Sequence, residues 1–302
     1  MSFSPTQAYR RGITSMSLAM GFFLINDSMV KLITARAPAD QIICIRGSFV
    51  ALFITLWVAA TRPYVFRFIA HRGMAMAGVR GMMDALSSFS FVGSLFFLAL
   101  PNATAINLSG PLIVTGFAIL FLGEKVAWRQ WVAILVGMGG VALIVQPAGE
   151  AFNWFSLLAL FGTACTAIRD VLTRSIGMQI PASLLTLATG VVVAAVGGTS
   201  GLIRGWPPIA LGDVAVLCVA SLFMIAGQQF TIYALRIAEA SAVAPFRYTS
   251  ILWSMFLGYM LWGDLPNGLA LVGIAVVVLS GLYLLQLERR RRRLLEEATA
   301  VL

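Results

Sequence analysis

Ten apolar runs, each long enough to cross a lipid bilayer, follow one another along this chain of 302 residues. A helix rises 1.5 Å per residue, so crossing about 30 Å of hydrocarbon takes roughly 20 residues. In lipid, every backbone polar group needs a partner within the protein, and a helix supplies one for each. The sequence therefore predicts an all-α membrane protein. Its ten transmembrane helices are expected over residues 13–34, 39–60, 73–99, 102–122, 128–146, 153–173, 182–203, 212–235, 240–262 and 267–287.

The composition fits a protein that faces lipid. Hydrophobic residues make up 60% of the chain and charged residues only 11%, with a mean hydropathy of +0.92. These values exclude an ordinary water-soluble domain. A net charge of +9 would suggest nucleic-acid binding in a soluble protein. Here most cations fall in short gaps between apolar runs, so we expect contact with a lipid bilayer and none with nucleic acid.

The placement of the cations predicts the orientation in the membrane. With a cytoplasmic N-terminus, the outer gaps hold little beyond Arg36 and Arg204. The inner side then holds Arg10, Arg11, Arg62, Arg67, Arg72, Lys125, Arg129, Arg174, Arg236 and the run Arg289 to Arg293. Because cytoplasmic loops are rich in Lys and Arg, both termini are predicted to be cytoplasmic.

Four residues each have an identical or similar residue 143 positions later in the chain, the distance from residue 27 to residue 170. Asp27, Lys31, Pro38 and Gly47 are matched by Asp170, Arg174, Pro181 and Gly190. Gly123-Glu124 is matched by Gly263-Asp264 at a spacing of 140, from 123 to 263. Five helices per copy is an odd number, so the second copy must enter the membrane from the opposite side. We expect two inverted repeats at residues 1–148 and 149–288, followed by a basic cytoplasmic tail at residues 289–302.

Several segments resemble one known family. They are residues 100–106 (LPNATAI), Gly123-Glu124, and the run from Trp131 to Val145 with its three glycines. Together with the ten-helix pattern they resemble the drug/metabolite transporter superfamily, specifically its EamA-type members. The resemblance spans nearly the whole chain and implies a multi-pass transporter of a bacterial cytoplasmic (inner) membrane. The second copy departs from the pattern, with Asp264 in place of Glu and a proline early in its fourth helix.

Charged residues inside the predicted helices are the candidates for coupling or gating, because a charge at the bilayer centre costs about 2.5–3.5 kcal/mol. Asp27 and Lys31 are four residues apart and can pair on one helix face. Such a pair could be structural, with the two charges neutralising each other, or it could act as a gate or coupling site. Asp84 lies about 18 Å into its helix, counted from Arg72, near the middle of the membrane. Asp170, with Arg169 and Arg174 beside it, repeats the first pattern at the inner end.

A second set of residues could bind the substrate. Arg247 lies among Tyr248, Trp253 and other aromatics, where a guanidinium can bind a carboxylate or phosphate while the rings hold a flat apolar body. Alternatively, Arg247 could form a structural ion pair with Asp84 or Asp170. The remaining candidates are Arg46, Asn107 and Gln228. Arg46 is expected to pair with Asp84, which would either lock the bundle or line the site. Within that family, the pattern of Asp27, Lys31 and Arg46 most resembles the branch that contains riboflavin and S-adenosylmethionine transporters.

Other residue patterns are absent from the sequence. There is one histidine, His71, no phosphate-binding Gly-Lys-Ser/Thr motif, and the three cysteines lie singly in different helices. The sequence thus offers no material for a His metal site, a Ser/His nucleophile or ATP hydrolysis. We expect no cofactor, no metal and no enzyme activity.

The predicted function is transport of a small organic metabolite by alternating access, with a riboflavin-like or adenosyl compound as the first choice of substrate. An amino-acid or drug exporter of the same fold is the alternative. A more remote one is an intramembrane aspartyl-type enzyme, which needs two carboxylates in one pocket. A passive channel would need a continuous hydrated pore, and the isolated, largely pairable charges argue against one. Protons are one candidate for the coupling ion, and exchange without protons is the other.

Overall fold

The computed structural model describes residues 5–70, 74–110, 112–113, 128–145, 153–176, 180–237 and 244–300. These parts of the chain form ten α-helices and two 3-10 segments, Pro63–Ala70 and Ala244–Tyr248, and contain no strand. The helices are α1 Pro5–Ile33, α2 Ala39–Thr61, α3 Met74–Leu95, α4 Leu100–Asn107, α5 Trp128–Val145, α6 Trp154–Ile176, α7 Ala182–Arg204, α8 Leu211–Ile237, α9 Thr249–Trp262 and α10 Gly268–Ala300.

The observed helices confirm the all-α prediction, and most boundaries agree within a few residues. Three ends differ. α1 begins at Pro5 and α10 continues through the basic tail to Ala300, because Arg, Leu and Glu are good helix formers outside the membrane as well. α9 begins at Thr249, after a 3-10 segment that contains Pro245. A proline lacks the N–H that an α-helix interior needs. The second half of predicted helix 4, residues 114–122, lies outside the described residues.

Four of the described helices are long and apolar enough to cross a membrane. The qualifying segments are Arg11–Ile33, Ala39–Thr61, Ala182–Ile203 and Leu211–Thr231. Three shorter apolar segments, Trp131–Ile144, Trp154–Arg169 and Gly268–Tyr283, lie in α5, α6 and α10. Large apolar side chains such as Leu56, Leu135 and Leu279 are exposed on their outer faces. These faces meet lipid.

The helices pack in preferred pairs. α1 lies along α8, α2 along α7, α3 along α6, and α5 along α10. Smaller contacts join α3 to α7 and α2 to α8, and others join α1 to α9 and α4 to both α6 and α9. The main apolar core runs between these pairs and includes Ile42, Ile106 and Leu217.

Glycines allow the closest of these helix crossings. Where α2 crosses α7, a Cβ atom added at Gly47 would lie 2.9 Å from the backbone nitrogen of Ala194. One added at Gly190 would lie 3.0 Å from that of Ala51. Helix interfaces in membranes use small residues in this way because helix association there depends on close backbone packing.

We expect Gly47→Ala to destabilise the protein, because its added methyl group meets the backbone of α7 rather than a side chain that could move. Overpacking of this kind costs about 1–3 kcal/mol. Thermal unfolding of the purified protein in detergent, followed by tryptophan fluorescence, measures the change in Tm.

Gly139→Ala is the matched control, since an added Cβ atom there would meet nothing within 4 Å. Both substitutions gain the same helix propensity from alanine. A Tm of the Gly47 variant equal to that of the Gly139 variant would contradict the close approach of α2 and α7.

Candidate functional site

An ion pair in the interior joins α3 to α6. Asp84 is only 4% exposed, and its Oδ1 accepts a hydrogen bond of 2.6 Å from the guanidinium of Arg169. Its other oxygen, Oδ2, is buried without a hydrogen-bond partner in the described part of the protein. Burying one charge of such a pair alone would cost several kcal/mol, so each residue needs the other.

Two further charges extend this pair toward α1 and α2. Arg46 on α2 is 5% exposed, and the charges of both Asp27 and Asp84 act on its guanidinium. Asp27 on α1 accepts a hydrogen bond of 2.9 Å from the amide of Asn26. The sequence of charges is therefore Asp27, Arg46, Asp84 and Arg169, alternating in sign across four helices. We call these four residues the interior network.

The interior network lies well away from the helix ends. Asp27 is six residues from the end of α1, and Arg46 is seven residues from the start of α2. At 1.5 Å per residue both side chains sit about 10 Å from a helix end. Asp84 is ten residues into α3, or about 15 Å by the same rise. Interior charges at this depth are costly and are kept for pairing, coupling or substrate binding.

The predicted ion pair between Arg46 and Asp84 is wrong, because Asp84 pairs with Arg169. α3 lies along α6 for much of its length, whereas α3 and α2 touch only briefly. The sequence pointed to Arg169 only as a neighbour of Asp170 and missed its role. The only sequence signal for Arg169 was the repeat. Arg169 and Asp170 stand 143 positions after Asn26 and Asp27, so Arg169 occupies the position that matches Asn26.

A second cluster closes the far end of α1. The ammonium of Lys31 bonds to Asp264 at 3.2 Å and donates to the carbonyl of Leu98 at 3.1 Å. It also lies 4.9 Å from the ring centre of Trp262. One side chain thus connects α1, the α3–α4 junction, the end of α9 and the α9–α10 loop. We call Lys31 and Asp264 the α1-end clamp.

The predicted pairing of Lys31 with Asp27 is wrong. Their i,i+4 spacing permits contact on one helix face, but the folded chain offers Lys31 a carboxylate from 233 residues away. Asp27 instead keeps its hydrogen bond to Asn26. Asp264 therefore joins the site residues, although the sequence singled it out only as part of a repeat.

Other polar side chains make hydrogen bonds between helices. Gln228 on α8 bonds to Thr186 on α7 at 2.9 Å. Arg80 on α3 donates to Thr189 on α7 at 2.6 Å. Of the predicted substrate-binding residues, Gln228 is thus engaged between helices. Asn107 is exposed at the end of α4. The side chain of Asp170 lies outside the described part of α6.

The aromatic candidates lie on the side of α9. Tyr248 is buried in the 3-10 segment, with its hydroxyl against Gly281 of α10. Arg247 precedes it and is partly exposed. Trp253 packs on Gly21 of α1 and, with Ser17, Thr249, Leu252 and Phe256, lines an open apolar groove of about 460 Å³. Whether these residues share one substrate pocket with Arg46 stays a prediction.

The described residues contain no group of three or more His, Cys, Asp or Glu side chains that could hold a metal ion. The three cysteines, Cys44, Cys165 and Cys218, are free thiols in separate helices. The chemistry that the site offers is therefore ion pairing and hydrogen bonding.

Comparison with known proteins gives relatives over most of the chain. No protein-family model matches. An S-adenosylmethionine uptake transporter of Rickettsia bellii is 22% identical over 299 residues, covering 92% of this chain and 97% of that one. A riboflavin transporter of Rhizobium johnstonii is 26% identical over 215 residues, or 71% of each chain. A pseudopaline exporter of Pseudomonas aeruginosa is 25% identical over 279 residues, covering 90% and 94%.

A solved crystal structure shares the fold. It matches with a TM-score of 0.61 at 16% identity, covering 95% of this chain and 99% of that one. The relatives above are all named as transporters or exporters, and none as an enzyme. These relatives support the resemblance to drug/metabolite transporters seen in the sequence, and with the apolar helices they show that this chain is a multi-pass transporter of a bacterial inner membrane.

Proposed function

We propose that the protein is a secondary transporter that moves a small organic metabolite by alternating access between two inverted halves. The first half comprises residues 1–148, the second residues 149–288, and residues 289–302 form a cytoplasmic tail. Both termini are cytoplasmic in this proposal. The substrate binds near the middle of the membrane, where the interior network lies.

The observation that carries the proposal is the pattern of helix pairs. A two-fold axis in the membrane plane would relate each helix to the one five positions later. Such an axis turns the pair α1 and α8 into α6 and α3, and both pairs are observed. It likewise turns α2 and α8 into α7 and α3, and this pair of contacts is also observed. The pairs α2 with α7 and α5 with α10 are their own images.

The glycine contacts support the same axis. Gly47 and Gly190 are matched by the repeat of 143 positions, and so are Ala51 and Ala194. An added Cβ atom on Gly47 would meet Ala194, and one on Gly190 would meet Ala51, at nearly equal distances. A reciprocal contact between matched residues is what a two-fold axis through this crossing produces.

The α1-end clamp is suited to close the outer side of the pathway. Lys31 is buried against two loops and one helix end, and releasing it breaks an ion pair and a hydrogen bond at once. In an alternating-access cycle this clamp would form when the site faces the cytoplasm and open when it faces outward. Asp27 is the candidate for proton coupling among the described interior carboxylates, because Asp84 is already paired with Arg169. Asp170 is the candidate in the second half.

The substrate choice follows the relatives, which are named for S-adenosylmethionine, riboflavin and pseudopaline. A riboflavin-like or adenosyl compound remains the first candidate, with an amino acid or drug as the alternative. Exchange without protons is an alternative mode of coupling.

Counterflow in proteoliposomes tests the carrier function. We expect labelled riboflavin, S-adenosylmethionine or an amino acid to enter only when the same unlabelled compound is inside, without ATP. If Arg247 binds the substrate, Arg247→Ala lowers this uptake at least tenfold, since a charged hydrogen bond is worth about 1.5–3 kcal/mol. Arg62→Ala, at an exposed arginine directly after α2, is the control and retains uptake. Uptake independent of internal substrate would indicate a channel and refute alternating access.

The clamp is tested by charge reversal. Lys31→Asp and Asp264→Lys should each slow counterflow, because like charges then repel at the closing contact. A pair worth about 1 kcal/mol changes the ratio of two conformations about fivefold. The double variant should recover most of the rate, since it restores an ion pair. If the double variant is as slow as the slower single variant, the pair has no gating role.

The proposed orientation is tested by thiol labelling of intact cells, in a background with the three native cysteines replaced by serine. A membrane-impermeant maleimide should label Arg36→Cys at once and Arg67→Cys only after the membrane is permeabilised. The reverse result would invert the topology.

A further inference from the structure

α10 is longer than a membrane crossing requires. Its 33 residues, Gly268–Ala300, span about 50 Å at 1.5 Å per residue, whereas the hydrocarbon core of a bilayer is about 30 Å thick. The apolar segment of the helix ends at Tyr283. Arg289, the first of five consecutive arginines, lies about 32 Å along the axis from Gly268. The arginine run therefore begins where the hydrocarbon ends and continues into the headgroup region.

α5 reaches the same level of the membrane beside α10. An added Cβ atom at Gly140 would lie 2.9 Å from the side chain of Val276, and one at Gly137 would lie 3.2 Å from that of Ser280. The two helices therefore run in opposite directions along each other. As many residues separate Trp128 from Gly137 as separate the first arginine of the run from Ser280. Trp128, where α5 begins, thus lies at about the level of that arginine.

Exposed aromatic side chains mark this level as the interface between membrane and water. Trp128 is 70% exposed, Trp131 39% and Tyr283 43%. Trp and Tyr are enriched at the headgroup level because their rings are apolar while their N–H and O–H groups can meet water. Two arginines at this level, Arg129 on α5 and Arg290 on α10, are also exposed. We call the combined surface the α5–α10 belt; it comprises Trp128, Arg129, Trp131, Tyr283 and the run Arg289 to Arg293.

The α5–α10 belt carries a surplus of positive charge. Its six arginines outnumber the three glutamates in the same stretch of α10, Glu288, Glu296 and Glu297. Two of these acids follow the arginine run and so lie further from the bilayer. A guanidinium binds phosphate oxygens bidentately, and arginines at this level are attracted to anionic lipid. A phosphatidylcholine headgroup brings its own cation, which arginines repel, whereas phosphatidylglycerol presents its phosphate without one.

The orientation of the chain does not by itself require such a cluster. Cations near the helix ends orient a membrane protein wherever on the inner side they lie. Arg11, Arg62 and Arg67 are exposed cations of this kind. In the α5–α10 belt, by contrast, arginines and exposed aromatic rings coincide at one level of two packed helices. This combination fits a lipid that has an anionic headgroup and apolar chains.

We infer that the α5–α10 belt binds the headgroup of anionic phospholipids in the cytoplasmic leaflet. The guanidinium groups of Arg129 and Arg290 hold the phosphate, and the other arginines of the run add to the attraction. The exposed rings lie at the boundary between headgroup and acyl chains. The choice of leaflet rests on the proposed orientation, and the inference is otherwise independent of the proposed transport function.

Native mass spectrometry of the purified protein in detergent tests this binding, because it resolves each bound lipid. The probes are dioleoyl phosphatidylglycerol and dioleoyl phosphatidylcholine, which share their acyl chains and differ in the headgroup. We expect the wild-type protein to bind the first phosphatidylglycerol at least tenfold more tightly than the first phosphatidylcholine. Arg129→Gln/Arg290→Gln should weaken phosphatidylglycerol binding at least fivefold, the factor expected for one lost arginine contact. It should leave phosphatidylcholine binding unchanged.

Arg62→Gln/Arg67→Gln is the matched control. Both arginines are exposed beyond the end of α2, outside the α5–α10 belt but on the same side of the membrane in the proposed orientation. The control variant therefore loses the same charge and should keep the wild-type preference for phosphatidylglycerol. Arg129→Lys/Arg290→Lys, which keeps the charge of the belt, should retain a preference for phosphatidylglycerol as well.

Two results would overturn the inference. One is equal affinity of the wild-type protein for the two lipids. The other is an equal loss of phosphatidylglycerol binding in the two glutamine variants, since binding would then follow the total charge rather than the α5–α10 belt. Counterflow is measured separately, so a failure of lipid binding leaves the proposed transport function intact, and the reverse also holds.

Discussion

Every ionised side chain inside this bundle has to be balanced, because lipid and apolar side chains cannot solvate a charge. The protein meets this constraint by placing charges of opposite sign on neighbouring helices. Asp84 on α3 and Arg169 on α6 form a direct pair, and Arg46 lies where the charges of Asp27 and Asp84 both act on it. This requirement fixes which faces of α1, α2, α3 and α6 turn inward, and so limits the possible packings.

The balance of charge depends in turn on how closely the helices approach. Gly47 and Gly190 bring α2 and α7 together, while Gly140 and Gly273 do the same for α5 and α10. An added Cβ atom at Gly140 would lie 2.9 Å from the carbonyl oxygen of Gly273. Without a hydrophobic force between helices in lipid, contacts of this kind supply much of the association energy. The small residues therefore set the frame in which the interior charges meet.

Much of the fold was predictable from sequence, and the charge partners were not. Helix positions follow from apolar runs of a length that the bilayer dictates, which is why α2 and α7 were placed correctly to within one residue. The repeat of 143 positions also singled out Gly47 and Gly190 before any contact was known. Partner choice is different, since it depends on which helices become neighbours.

The two wrong pairings show this limit in physical terms. The sequence offered Lys31 a local carboxylate four residues away, but the folded chain supplies Asp264 together with a carbonyl and an indole ring. It offered Asp84 the arginine of the preceding helix, whereas the long contact between α3 and α6 brings Arg169 instead. In each case a residue distant in sequence gives the better partner.

The position of two charges on α1 links the interior network to the α1-end clamp. Asp27 faces the interior network and Lys31, one turn later, belongs to the α1-end clamp. At 1.5 Å per residue the two Cα atoms are about 6 Å apart along one rigid helix. A displacement of α1 that releases Lys31 from Asp264 therefore also moves Asp27 relative to Arg46. The coupling needs no further element, because the same helix carries a residue of each site.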